Sequence, residues 1–196
     1  MADLSWYNIK KSLKWFWWFV WEDDSWASWI VSVIIAFVLV KFVIYPVLGL
    51  ILGTSFPVVA VVSGSMEHNG MGFEEWWQAN GQWYEAKGIT EDDMHSYRFR
   101  NGFNKGDIMI ILGVKPENIK NGMVIVYSTA RYKYPIIHRV VDSGGDSGKL
   151  YLETKGDNNS QSDPEQVPSG NVLGRAVLKI PYLGWIKLVF TSIIGG

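Results

Sequence analysis

The chain has 196 residues, and its 18 lysines and arginines against 19 acidic residues give a formal net charge of −1. A chain without a basic excess lacks the charge that attracts phosphate backbones, which argues against nucleic acid as a partner. It contains no cysteine, so disulfide frameworks, thiolate nucleophiles and cysteine-ligated metal centres are excluded. A hydrophobic fraction of 48% is incompatible with a disordered chain, and the length suits one soluble domain plus a membrane segment.

Residues 1–25 form a distinct N-terminal segment that is first cationic and then aromatic. Within it, residues 10–21 read KKSLKWFWWFVW, which is too short to span a bilayer and is typical of an interfacial helix. Three lysines precede the next segment, whereas the first cationic side chain after residue 53 is Lys87. The positive-inside bias therefore predicts a cytoplasmic N terminus, with the rest of the chain on the extracytoplasmic face.

Residues 26–53 predict a transmembrane helix, because Lys41 is the only charged residue in this run and about 20 apolar residues already span the hydrocarbon core. A buried core helix is the alternative, but the run is longer than a domain of this size usually buries. A cleavable signal peptide is less favoured, since its apolar region is usually about 7 to 15 residues. We expect the segment to remain as an anchor, with Pro46 ending or kinking the helix.

Residues 54–173 predict a β-rich domain, because runs of β-branched residues alternate with turn sequences. The predicted strand regions are 57–66, 107–114, 122–129, 135–142 and 149–156. Residues 67–104 separate the first two and are predicted to be a variable aromatic loop insertion with a short helix at FEEWWQA. The predicted fold class is therefore mainly β, with an N-terminal transmembrane helix.

Residues 174–196 are apolar again but are interrupted by Lys179, Pro181 and Lys187. This pattern predicts a C-terminal membrane-associated segment, either a marginal second span or an amphipathic segment in the interface. If the segment crosses the bilayer completely, the C terminus returns to the cytoplasm.

The sequence Ser63-Gly64-Ser65-Met66 is the clearest local signal of chemistry. It follows the first predicted strand, where a glycine-containing bend projects a hydroxyl beside backbone N–H groups, as a nucleophile and an oxyanion hole require. The alternative is an ordinary turn, because serine and glycine are frequent turn residues.

Three histidines are the candidates for a general base. His138 lies on a predicted strand between apolar residues, where it is either a base or a structural histidine. His68 and His95 are predicted loop residues. The three are scattered in the sequence and lack the spacing of a zinc-binding helix, so we predict no metal and no cofactor.

The candidate carboxylates lie in residues 153–163, which read ETKGDNNSQSD. Asp157 and Asp163 are six residues apart in a stretch rich in glycine, asparagine and serine. A solvated turn is one interpretation. A calcium loop is a weaker one, because the DxDxDG pattern and its closing glutamate are missing.

These motifs, in this order, resemble type I signal peptidase, specifically its archaeal and endoplasmic-reticulum branch. The matching motifs are VVSGSM, KGDIMII, IIHRVV, TKGDNNSQSD and GRAVLKIPYLGW, and the resemblance covers most of residues 26–185. The bacterial enzymes pair the serine with a lysine, whereas His138 stands at that position here. The chain departs from the bacterial pattern at Glu67-His68, where a proline usually follows the SGSM motif.

The resemblance implies a membrane-bound serine endopeptidase that removes signal peptides from exported preproteins and cuts after a small residue. Ser65 would be the nucleophile and His138 the base, with Asp163 as the first candidate for orienting His138 and Asp157 as the second. The predicted oxyanion and substrate-binding residues are Ser63, Gly64, Ser65 and Met66.

The implied partners are preprotein signal peptides, the lipid bilayer and the protein translocation channel, with no nucleic acid. The implied location is the cell membrane or a membrane of the endoplasmic-reticulum type. A noncatalytic, membrane-anchored β-domain that binds or assembles surface proteins is the alternative. That alternative gives no reason for the order of the motifs.

Overall fold

The computed structural model describes residues 2–146, 149–186 and 188–189. The chain divides into two compact units, and the division falls between Leu48 and Gly49.

The N-terminal unit begins with two helices that contact each other. Helix α1 is Ala2–Trp21, and helix α2 is Trp26–Leu39. The side chain of Ser25 caps α2 by accepting from the Ser28 N–H at 3.2 Å, which satisfies a backbone donor at the helix start. The hydroxyls of Ser28 and Ser32 donate to carbonyl oxygens near the end of α1. Helix α1 includes the predicted interfacial helix and begins earlier than predicted.

The predicted transmembrane segment is helical from Trp26 to Leu52. After α2 the chain passes through a π-helical turn, Val40–Ile44, into α3, Tyr45–Leu52. The helix continues through Pro46, because the wider π-helical turn before it accommodates a residue that has no N–H to donate. Among the described residues, this is the one helix that is long and apolar enough to cross a membrane.

The second unit is built on a seven-stranded sheet, which confirms the predicted β-rich class. The strands are β1 (Val58–Ala60), β2 (Ile108–Leu112), β3 (Val124–Tyr127), β4 (Ile136–Asp146), β5 (Lys149–Lys155), β6 (Val167–Pro168) and β7 (Val172–Ile180). Their order across the sheet is β1-β2-β7-β3-β4-β5-β6, and every pair of neighbours is antiparallel. Strand β4 therefore lies between β3 and β5.

Strand β7 corrects the prediction that the chain becomes membrane-associated from residue 174. Residues 174–180 belong to this strand, which pairs with β2 on one side and β3 on the other. An apolar run suits a buried strand as well as a membrane segment, and pairing on both sides satisfies its backbone groups. Residues 187 and 190–196, which the same prediction covers, lie outside the described residues.

The predicted loop insertion at residues 67–104 contains two helices and is not only a loop. Helix α4 is Phe73–Glu85 and helix α5 is Glu91–Ser96. Helix α5 begins with a capping box in which Thr90 and Asp93 bond each other's backbone, an arrangement that satisfies two orphan donors. The buried cluster of this region consists of Phe73, Trp76, Trp77, Tyr84, Ile89, Met94 and Val141 of β4. Several aromatic residues of the insertion are therefore core residues.

Candidate active site

Ser65 lies in the bend that follows β1. The next residue, Met66, is 0% exposed and packs in the apolar core of the sheet, whereas Ser63 is exposed. The Phe103 N–H donates to the Met66 carbonyl at 3.0 Å. The chain therefore turns inward just after Ser65, and its hydroxyl stays at the surface of the unit.

The loop after β5 holds the same bend from the other side. The Asn158 N–H donates to the Ser65 carbonyl at 2.8 Å, and the Asn158 side chain donates to the Gly64 carbonyl at 3.0 Å. This approach requires a glycine at position 156, because a Cβ there would lie 2.6 Å from the Ser65 carbonyl oxygen. Backbone contacts from two loops thus fix the position of Ser65.

Ser65, His138 and Asp163 form a continuous chain of hydrogen bonds. Ser65 Oγ lies 2.9 Å from His138 Nε2, and His138 Nδ1 lies 2.7 Å from Asp163 Oδ2. Because a carboxylate only accepts, Nδ1 carries the proton and Nε2 accepts from the Ser65 hydroxyl. This geometry permits a serine to lose its proton to a histidine that a carboxylate orients.

Asp163 is held by three side-chain donors on one oxygen. Its Oδ2 accepts from the hydroxyls of Tyr127 at 2.8 Å and Thr154 at 2.6 Å, as well as from His138. Burial opposes ionisation of Asp163, but the hydrogen bonds from His138, Thr154 and Tyr127 outweigh it and hold the pKa of Asp163 below its ordinary value. The carboxylate is therefore ionised at neutral pH.

Asp157, the second candidate for orienting His138, lies against Arg139 instead. Both side chains are fully buried, and Arg139 donates from Nε to Oδ1 at 2.9 Å and from Nη2 to Oδ2 at 2.6 Å. His68 Nε2 lies 3.4 Å from Oδ2. Burial opposes ionisation, but the Arg139 guanidinium and His68 hold the pKa of Asp157 well below its ordinary value. The structure brings Asp163, rather than Asp157, to His138.

Arg139 also connects its ion pair with Asp157 to the insertion at residues 67–104. Its guanidinium also donates to the carbonyl oxygens of Arg98, Phe99 and Gly122 at 2.9 to 3.0 Å. Arg139 follows His138 directly in β4, so the two side chains point to opposite faces of the strand. One face thus contributes to the site and the other to the buried ion pair.

The sequence analysis did not single out Tyr127, Thr154 or Lys155. Lys155 is 1% exposed, and its Nζ donates to the Tyr84 hydroxyl at 3.2 Å and lies 5.0 Å from the centre of the Trp83 ring. Burial lowers the pKa of Lys155 to about 8. In the sequence, Lys155 is recognisable only as a charged residue at the end of a predicted strand, and nothing in the pattern indicates that it is buried.

A cleft of about 470 Å³ opens beside Ser65 and His138. Its wall includes Val59 and Ala60 of β1, which is an edge strand of the described sheet. Ser63 also lines the cleft, with its hydroxyl oxygen 3.2 Å from Ser65 Oγ. The other lining residues include Val62, Tyr127, Tyr132, Tyr134, Ile136, Ile137 and Pro164.

The predicted oxyanion and substrate-binding residues separate into two groups. Ser63 and Ser65 line the cleft. Met66 lies in the core instead, so it anchors the bend and does not contact the cleft, and the carbonyl of Gly64 is bonded to Asn158. No group of three or more potential metal ligands occurs within the described ranges.

A serine, a histidine and an aspartate bonded in sequence beside an apolar cleft, on a β-rich unit, have the arrangement of a serine hydrolase site. Comparison with curated proteins shows which known proteins this chain is similar to. The chain is 25% identical over 148 residues to the human (Homo sapiens) protein named signal peptidase complex catalytic subunit SEC11C, a match that covers 71% of this chain and 60% of that protein.

Fungal proteins of the same description are similar too. The chain is 26% identical over 159 residues to SEC11 of Scheffersomyces stipitis, covering 77% of this chain and 75% of that protein. It is 31% identical over 98 residues to sec11 of Sclerotinia sclerotiorum, covering 46% and 57%. No protein-family model matches the chain. The homologues are thus signal peptidase complex catalytic subunits at modest identity, and the chain spans about 60% of the length of the first of them.

Proposed function

We propose that this chain is a membrane-bound serine endopeptidase that removes N-terminal signal peptides from exported preproteins and cuts after a small residue. The observation that carries the proposal is the unbroken hydrogen-bond chain from Ser65 through His138 to Asp163. The similarity to proteins named as signal peptidase catalytic subunits supports the substrate class.

In the proposed reaction Ser65 Oγ attacks the scissile carbonyl while His138 Nε2 takes the hydroxyl proton. His138 then gives that proton to the leaving amine, and an acyl-enzyme remains on Ser65. Water attacks this ester with His138 again as the base, which releases the signal peptide and restores Ser65. Asp163 keeps the imidazole in the required tautomer and stabilises the imidazolium that forms in each half-reaction.

We assign stabilisation of the oxyanion in the tetrahedral intermediate to two donors, the Ser65 N–H and the Ser63 hydroxyl. Preorganised donors at this position stabilise the charge that develops on the carbonyl oxygen. The position of Ser63 on the cleft wall, 3.2 Å from the attacking oxygen, supports its part in this role.

The proposed substrate binds as an extended strand along the edge of β1 that no other described strand occupies. Main-chain hydrogen bonds to such an edge provide affinity, and pockets for alternate side chains provide specificity. Val59, Ala60 and Ile137 line the cleft with apolar atoms, which suits the apolar side chains of small residues near the cleaved bond.

We propose the domain organisation that follows from this activity. Residues 1–25 are the cytoplasmic or interfacial segment and 26–53 the transmembrane helix. The extracytoplasmic catalytic domain begins at residue 54 and, because β7 completes its sheet, extends beyond residue 173 to the end of that strand at Ile180. The helix from Trp26 to Leu52 supports the anchor. The partners are the preprotein, the lipid bilayer and the protein translocation channel, and the location is the cell membrane or an endoplasmic-reticulum-type membrane.

We assign the chain to the archaeal and endoplasmic-reticulum branch because a histidine faces the proposed nucleophile. His138 Nε2 occupies the position from which a base accepts the Ser65 proton. Lys155 Nζ is bonded elsewhere, to Tyr84 and to the Gly156 and Asp157 carbonyls. The noncatalytic alternative has no specific observation in its favour.

The test is cleavage of a preprotein by the purified full chain in detergent with added lipid. Wild type is compared with Ser65→Ala and His138→Ala, and with Ser143→Ala and His95→Ala as matched controls at exposed positions. We expect cleavage after a small residue, located by mass spectrometry, to fall at least about 10³-fold in the first pair and to persist in the controls. A folded wild type that cleaves nothing, or a Ser65→Ala variant that still cleaves, would contradict the proposal.

A further inference from the structure

We propose that Tyr127 and Thr154 are positioning residues for the triad, and that their hydroxyls set how strongly Asp163 acts on His138. The inference rests on the proposed function and concerns the same site. Neither residue contacts the attacking oxygen, so both act through Asp163.

The geometry places three donors on a single carboxylate oxygen. Asp163 Oδ2 lies 2.6 Å from Thr154 Oγ1, 2.7 Å from His138 Nδ1 and 2.8 Å from Tyr127 Oη. Tyr127 is 1% exposed and Thr154 is 0% exposed, so both donors reach this oxygen from the protein interior. Charge-assisted hydrogen bonds of this kind are short and strong.

The sheet brings the two hydroxyls to Asp163 from opposite sides of the strand that carries His138. Tyr127 ends β3, and Thr154 lies in β5 with Val140 of β4 as its register partner. His138 pairs with Ile125, two residues before Tyr127, so the two side chains share one face. The carboxylate is thereby held by side chains from three adjacent strands.

Two consequences follow from sharing one oxygen among three donors. The hydroxyls hold the carboxylate in line with His138 Nδ1, which favours the orientation that proton transfer needs. They also neutralise part of the carboxylate charge, which weakens its attraction for the imidazolium form of His138. Removing either hydroxyl should therefore disturb the orientation and, at the same time, make the imidazolium more stable.

Other groups face the same site and stay unchanged in the test. The charged and titratable side chains around His138 and Asp163 are Arg131, Tyr132, Lys133, Tyr134 and Glu165 on the cleft and Lys155 on β5. Because the variants below keep all of them, a change in pH dependence reports the loss of a hydroxyl.

The experiment measures kcat, KM and the pH profile of kcat/KM for Tyr127→Phe and Thr154→Val, which remove each hydroxyl and keep the approximate shape. Thr154→Ser keeps the hydroxyl and is the rescue variant. The matched controls are Tyr84→Phe, which removes a buried hydroxyl next to Asp157, and Thr54→Val, which removes one bonded to the Leu173 carbonyl.

We expect each test variant to lower kcat about tenfold with KM nearly unchanged, because the orientation of the base matters only in the reacting complex. The acid limb of the profile should move to higher pH by about half a pH unit, because His138 then keeps its proton to higher pH. Thr154→Ser and both controls should keep the wild-type limb. An unmoved limb in both test variants, or an equal shift in Tyr84→Phe, overturns the inference.

Failure of this inference is distinguishable from failure of the proposed function. If Ser65→Ala still cleaves, the proposed function fails. If wild type cleaves, Ser65→Ala does not, and both test variants behave as wild type, only the positioning role fails.

Proton NMR provides a readout that needs no activity. The His138 Nδ1 proton is identified as the downfield resonance that disappears in His138→Ala. We expect it to move further downfield in Tyr127→Phe and Thr154→Val and to stay in place in Thr154→Ser, because the remaining bond to Asp163 strengthens when a competing donor is lost. A resonance that does not move in either test variant overturns the inference.

Discussion

Two aspartates six residues apart in one loop have entirely different partners. Asp163 accepts from His138 and two hydroxyls beside the cleft, whereas Asp157 is locked to Arg139 in the interior. The first arrangement leaves the carboxylate next to a group that gains a proton during the proposed reaction. The second neutralises a buried cation, so the two residues should respond differently to the same substitution.

Asp163→Asn is expected to lower kcat by about 10³- to 10⁴-fold with little change in thermal stability, because an amide no longer stabilises the imidazolium. Asp157→Asn is expected to lower the free energy of unfolding by about 3 to 5 kcal/mol, because it leaves the Arg139 charge buried without its counter-ion. Preprotein cleavage and thermal unfolding followed by circular dichroism check the two effects. Near-normal activity of Asp163→Asn would remove it from the proposed triad.

At the scale of elements, the insertion helix α4 contacts the β5 strand through a buried cation. Lys155 Nζ lies 4.7 Å from the centre of the Tyr84 ring and 5.0 Å from that of Trp83. His68, just after the serine motif, stacks on Trp76 with 4.1 Å between ring centres. Side chains of the insertion therefore contact both Lys155 and Asp157, the residues at and just after the end of β5.

The burial of Lys155 makes the free energy of unfolding depend on pH. Burial lowers the pKa of Lys155 to about 8 from an ordinary 10.5, so between these values the unfolded chain binds more protons than the folded one. The free energy of unfolding should therefore rise with pH in this window. Burial, followed by the charge of Asp157, raises the pKa of Tyr84 above 10, so Tyr84 opposes this trend only above about pH 10.

Lys155→Met removes the titrating group and provides the reference. Between pH 8 and pH 9.5, the free energy of unfolding of wild type should increase by roughly 1 to 2 kcal/mol relative to that of Lys155→Met. Urea unfolding followed by tryptophan fluorescence at both pH values measures this difference. Parallel pH dependence in the two proteins would show that Lys155 carries its full charge in the folded state.

For the molecule as a whole, the proposed activity requires a cytoplasmic N terminus and a catalytic domain on the extracytoplasmic face. The apolar helix ends at Leu52, six residues before β1 begins at Val58.

Labelling of single cysteines tests this orientation, and the natural chain contains no cysteine that would interfere. Ser12 and Lys120 are both exposed. In sealed membranes with the extracytoplasmic face outward, a membrane-impermeant maleimide should label Lys120→Cys. It should label Ser12→Cys only after the membranes are opened with detergent. Labelling of Ser12→Cys in sealed membranes would reverse the proposed topology.

Local patterns predicted a large part of this protein. The apolar helix is evident from the length of one uncharged run, and most of the strands from short runs of β-branched residues between turns. The motif order singled out Ser65 and His138 as the proposed nucleophile and base. Within the insertion, the short helix predicted at FEEWWQA is the start of α4, which continues to Glu85, whereas α5 was not predicted.

The sequence by itself therefore determined the long apolar helix, the β-rich class and the pair of residues on which the proposed chemistry depends. Only the tertiary structure decided which aspartate meets His138, which hydroxyls hold it, and that residues 174–180 complete the sheet. The physical reason is sequence separation. Hydropathy and turn patterns reflect only a few neighbouring residues, whereas the hydrogen bond from Tyr127 to Asp163 joins positions 36 apart. Such contacts exist only after the strands have paired.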